Sequence, residues 1–142
     1  MPNPANTYRD HAILSATPSQ LVTMLYDRLL LDLRTAHTAL ETGDDVQATY
    51  RLSHAGQIVA MLAGSLDTTV WDEADNLLAL YMYVTQAIMS VTASRNPATV
   101  VECVALLEPL RDAWHQAAAV LARQPEWNTA DSTAEKAVFA VA

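Results

Sequence analysis

The stretch "ATPSQLVTMLYDRLL", Ala16 to Leu30, decides how the rest of the chain is read. It opens with a helix start. Thr17 can cap, Pro18 suits the first helical position, and Gln20 completes a capping box. At about 100° per residue, Leu21, Val22, Leu25, Tyr26 and Leu29 share one face, which Leu33, Ala36 and Leu40 continue. That face is ample for a bundle core. Met24 and Leu31 lie together on another side, and Leu30 is a third outlier. The helix carries more apolar side chains than one core stripe needs.

Working outward, Gly43 supplies a C-terminal stop, so this helix should end at about Thr42. Asp44 with Gln47 repeats the capping pattern and opens a second helix, from about Asp45 to Leu66. "DTTVW", Asp67 to Trp71, reads as a connection, and a third helix covers about Asp72 to Ser94. Asn96-Pro97 caps and opens a fourth, ending near Arg123-Gln124 ahead of Pro125. Pro109 removes one hydrogen bond and crowds the preceding turn, which predicts a kink near Ala105–Pro109. Four helices with short connections predict an all-α, antiparallel up-down four-helix bundle. The expected division is an N-terminal arm or short helix at 1–16, the bundle at 17–124 and a flexible tail at 125–142.

Composition narrows the function. Only three glycines occur in 142 residues, half of which are hydrophobic. Sixteen acidic residues against eight basic ones leave a net charge of −8. Nucleic acid needs a basic patch, and an anionic membrane surface repels such a chain. The N-terminus lacks the basic and apolar regions of a signal peptide. No apolar run is expected to span a bilayer. Cys103 is the single cysteine, which excludes an intrachain disulfide and fits a reducing compartment. A soluble, cytoplasmic protein without membrane insertion is expected.

The surplus recurs. The third helix has a main face of Leu77, Leu80, Tyr81, Val84, Ala87, Ile88 and Val91. Its second stripe holds Trp71, Leu78, Met82 and Met89, with Thr85 between. The second helix buries Leu52, Ala55, Val59, Leu62 and Leu66, while Val46, Tyr50 and Met61 lean elsewhere. The fourth has one dominant face, from Val100, Cys103, Val104, Leu107 and Leu110 to Trp114 and Leu121. Second stripes are the wide flanks of a core, a homodimer seam, or a surface for a partner. Methionine suits the last use, because its flexible thioether repacks around varied partners.

Catalytic chemistry finds no foothold. The four histidines, His11, His37, His54 and His115, form no ligand pair on one helix. Asp112-x-x-His115 is a single carboxylate–imidazole pair, whereas a di-iron bundle wants two such motifs and two further glutamates. No cofactor, metal or enzymatic activity is expected. Nothing near Cys103 would lower its pKa, and Asp44-Asp45 and Asp72-Glu73 suit the first turns of helices.

Four pieces nevertheless resemble, in order, the flagellar secretion chaperones of the FliS family. Tyr8 followed by Ala16-Thr17-Pro18 is similar to the family's N-terminal tyrosine and Ser/Thr-Pro helix start. "QLVTMLYD" (Gln20–Asp27) resembles its "eLi.mLYdg", "NLLALYMY" (Asn76–Tyr83) its "nL..LYdY", and "LRDAW" (Leu110–Trp114) its "lrdaW". The likeness covers about Tyr8 to Ala118. Arg28 stands where the family often has glycine, Met82 where it has aspartate, and Thr85-Gln86 where a basic pair is common.

The resemblance implies a chaperone whose client is the C-terminal segment of flagellin, disordered in the free subunit. The client would fold into apolar grooves, blocking premature polymerisation until delivery to the type III export gate. Met24, Leu31, Trp71, Leu78, Met82 and Met89 are the expected groove residues, and Tyr8 the expected gate-docking residue. The protein itself would be a monomer or weak homodimer. A self-associating bundle without a flagellin client is the alternative.

Overall fold

A computed structural model describes residues 17–123. The expected arm at 1–16, with Tyr8, and the tail at 125–142 lie outside the described residues. Within them the chain forms α1 (Pro18–Thr42), α2 (Asp45–Gly64), α3 (Ala74–Ser94) and α4 (Pro97–Arg123). α1 and α3 each lie against both α2 and α4, and the diagonal pairs barely meet. Side-chain pairs fix the directions. Asp27 with His115 and Arg34 with Glu108 run α1 against α4. Gly56 beside Ile88 and Thr49 beside Arg95 run α2 against α3. The fold is an all-α antiparallel four-helix bundle.

Local chemistry sets the helix ends. Gln20 N donates to Thr17 Oγ1 at 3.3 Å while Thr17 N donates to Gln20 Oε1 at 3.0 Å, closing the capping box. Gly43 ends α1 at φ 77°, in the left-handed region that glycine enters without strain. Gln47 N donates to Asp44 Oδ1 at 3.1 Å, and Ala98 N to Asn96 Oδ1 at 3.0 Å. Two boundaries differ from expectation. α2 stops at Gly64, and α3 begins at Ala74, so Asp72 and Glu73 precede the helix. Pro109 lies inside α4 without breaking it.

The core joins Val22, Tyr26, Leu29 and Leu33 of α1 to Leu52, Val59 and Leu62 of α2. Tyr81, Val84 and Val91 of α3, with Val100 and Leu107 of α4, complete it. Leu30, expected as an outlier, is buried there too. The reason is the close seating of α1 against two neighbours, which buries a wider arc than one stripe. Across the diagonal, Tyr26 and Tyr81 hydrogen-bond hydroxyl to hydroxyl. Their rings are 6.4 Å apart at 51°. Burial pushes both phenols above their ordinary pKa, so both stay protonated.

One sequence expectation needs correcting. By length and composition α3, with 21 residues, is apolar enough to cross a bilayer. In the bundle, Leu77, Tyr81, Val84, Ile88 and Val91 of that helix form part of the core. Its apolar character therefore has a structural use before any membrane is invoked.

Thr17→Ala should cost about 1 kcal/mol of stability, the usual value of a lost N-cap. Thermal unfolding should show it, with partner binding unaltered, since Thr17 works only on its own helix.

Candidate functional site

The second stripe of α3 sits against a wall of small side chains. α3 carries no Asp, Glu, Lys or Arg from Asn76 to Ser94, and on α2 His54 is the sole ionisable group between Leu52 and Gly64. Leu78 and Thr85 are half-buried, while Met82 and Met89 are 57% and 67% exposed. At helical spacing these side chains share the side of α3 that faces α2. Thr49, bonded to Arg95, and Gly56, beside Ile88, mark the side of α2 that faces α3. Ser53, Ala60 and Ala63 fall on that same side. A β-carbon on Gly56 would lie 4.0 Å from Ile88 Cγ2, and one on Gly64 would meet nothing within 4 Å. Long, flexible side chains on one wall and small residues on the other make a shallow uncharged trough.

The other expected groove residues lie elsewhere. Met24 is half-buried and Leu31 is 50% exposed, both on the outer side of α1. Because α1 is diagonal to α3, they cannot share one groove with Leu78, Met82 and Met89. Trp71, in the connection before α3, is half-buried and meets Trp114 edge-on, with centroids 6.0 Å apart at 75°. It packs against the core.

Charge gathers at the seams of α1. Toward α4, Asp27 Oδ1 lies 2.8 Å from His115 Nε2 and 3.9 Å from Arg111 Nη1, and Arg34 pairs with Glu108. Toward α2, Asp32 is fully buried. It accepts from Arg51 Nη1 at 3.0 Å, bonds His54 Nδ1, and lies 3.5 Å from Arg28 Nε. Sequence reasoning passed over Asp32. The signal was there: a lone carboxylate inside "LLLDL" (Leu29–Leu33), with Arg28 four residues earlier. Between α3 and α4, Tyr83 donates to Glu102 at 2.7 Å, and that bond raises its pKa. Along the α2–α3 trough, the polar contact comes at the end, where Arg95 Nη2 donates to Thr49 Oγ1 at 2.9 Å.

This arrangement suits binding rather than reaction. Burial pushes the Cys103 thiol up to about 11, which leaves it protonated and unreactive near neutrality. His115 turns to Asp27 and Asp112 to Arg111, so the Asp112–His115 pair does not converge. Among the described residues no three His, Cys, Asp or Glu side chains gather as a metal would require.

Known proteins share this fold and this sequence pattern. The family described as "Flagellar protein FliS" matches residues 1–121. The chain belongs to the FliS family. Flagellar secretion chaperone FliS of Escherichia coli K12 is 33% identical over 109 residues, covering 75% of this chain and 80% of that protein. Its counterpart in Bacillus subtilis 168 is 27% identical over 115 residues, covering 81% and 86%. A crystal structure of a flagellar chaperone from bacteria superposes with a TM-score of 0.67 at 19% identity, covering 82% of this chain and 98% of that one. That last likeness speaks for the bundle alone. The FliS relatives are named as chaperones of flagellar secretion, which agrees with a site that offers surface rather than catalytic groups.

Asp32→Ala should destabilise this FliS protein by about 3 kcal/mol, the low end for breaking a buried pair, because Arg51 keeps some contact with water. Chemical denaturation would measure it. A change under about 1 kcal/mol would mean that Asp32 is not the clamp between α1 and α2.

Proposed function

We propose that this protein is a cytosolic, non-enzymatic export chaperone. It holds the C-terminal segment of flagellin in apolar grooves, prevents premature polymerisation and delivers the subunit to the flagellar type III export gate. The observation that carries this reading is the uncharged α2–α3 trough, kept open on a chain of net charge −8. An amphipathic helix laid in such a trough is a standard recognition mode. Ordering a disordered client costs free energy, which a broad apolar contact offsets. Met82 and Met89 supply adaptable contact, and the small α2 wall lets a client backbone approach. Met24 and Leu31, on another face, suit a client that wraps around the bundle rather than one that docks at a point.

Changing Leu78 and Met82 together to Asp should weaken binding of the flagellin C-terminal segment by more than about a hundredfold. Circular dichroism should still report the helices, because neither side chain is fully buried. Calorimetry showing unchanged affinity would remove the client from this trough. Loss of a homodimer on sedimentation, with no flagellin bound by the parent protein, would favour a self-associating bundle instead.

Tyr8 belongs to delivery in this reading. The segment before Thr17 has few apolar anchors, Tyr8, Ile13 and Leu14, so the bundle should not depend on it. Tyr8→Ala should leave melting and flagellin binding nearly unchanged while reducing flagellin export and motility. Normal export with a much lower melting temperature would make Tyr8 a structural residue.

A further inference from the structure

We propose that the chain's own segment 124–142 occupies the α2–α3 trough when no client is bound, as an internal stand-in for it. This rests on the reading of the trough as a client site. The family match stops at residue 121, so the segment lies outside the matched region. Its sequence has the character of a short client. Ser132 with Glu135 forms a capping-box pattern, and "AVFAVA" (Ala137–Ala142) follows without a charge. On a helix Ala134, Ala137, Val138 and Val141 share one face.

Reach and charge select the trough. α1 and α4 run antiparallel through Asp27–His115, so Arg123 emerges beside the start of α1. Gly64, the 65–73 connection and the start of α3 belong to that same end of an up-down bundle. Neighbouring helix axes lie about 8–10 Å apart, so the path around α3 to the trough is on the order of 20 Å. Residues 124–131, extended, reach about 26 Å. A helix from Ser132 onward is about 16 Å long, which matches the rise from Leu78 to Met89. The seams of α1 would force the apolar end of the segment, 137–142, to cover Asp27, Arg34, His54 or Glu108. Between Leu78 and Met89 the trough has no such group to desolvate; Arg95 lies beyond, at its end.

The test replaces Val138 of the full chain, on the docking face, with a benzophenone amino acid, which inserts readily into methionine side chains on irradiation. Intramolecular cross-links should fall on Met82 and Met89 and fade when the flagellin C-terminal segment is added. Cross-links to α1 or α4, links between chains that vanish on dilution, or no links at all would overturn the proposal. So would the same probe at Tyr8 labelling Met82 and Met89 while the probe at 138 does not, since the N-terminal arm would then be the occupant. In the full chain, Val138→Asp with Val141→Asp should tighten flagellin binding by about threefold, the value for a segment docked two-thirds of the time. Links at Met82 and Met89 that persist with flagellin bound would uphold the docking and move the client site elsewhere, so the two readings fail separately.

Discussion

Tyr26 and Tyr81 place two hydroxyls in the middle of an apolar core, where neither can reach water. An unpaired buried hydroxyl costs on the order of 1–3 kcal/mol, so Tyr81 relies on Tyr26, which also bonds Trp114. Their bond ties α1 to α3, helices on a diagonal that otherwise barely meet. α3 has no charged residue from Asn76 to Ser94 with which to fix its register. Ridges and grooves alone would admit sliding by a turn. The phenol pair, with Tyr83 on Glu102 and Arg95 on Thr49, removes that freedom, and with α3 in register its second stripe, Leu78, Met82 and Met89, comes to lie along the small residues of α2.

The distribution of charge completes the division. α1 is pinned on one side by Asp32 to Arg51 and His54, and on the other by Asp27 and Arg34 to α4. The exposed pairs contribute little each, but they make those seams poor places for an apolar partner. Asp32 is different, because its burial makes any loss of Arg51 costly. The face of α2 and α3 carries no comparable group, so the surface that a partner can cover at low desolvation cost lies opposite α1.

Much of this was legible in the sequence, for reasons that differ by element. Thr17 with Gln20, Asp44 with Gln47 and Asn96 before Pro97 act over a few residues, so their caps could be read directly. The start of α3 could not, because Asp72 and Glu73 look like a first turn while Trp71 is drawn onto Trp114, a contact distant in sequence. A helical wheel separates faces but does not say which face meets which helix. Leu30 therefore passed for a surplus side chain, and Met24 with Leu31 were grouped with a stripe on the opposite helix. Asp32 was missed because its partners Arg51 and His54 lie on α2. The trough itself was half legible: the methionines showed in the periodicity of α3, whereas the importance of Gly56, Ala60 and Gly64 depends on their facing those methionines.

Two separated apolar stripes constrain what a partner must be under the proposed reading. A helix with its side chains is about 10–12 Å across, so one helix cannot cover both the trough and the outer side of α1. A folded globular partner would need a concave surface fitted around the bundle. A segment that is disordered alone meets the geometry more simply, with one amphipathic stretch for each face and a linker between them. Each stretch by itself offers too little apolar area to stay helical in water, because helix nucleation is unfavourable and short isolated helices are marginal. Folding would then be confined to the chaperone's surface, and release would return the segment to the extended chain that export requires.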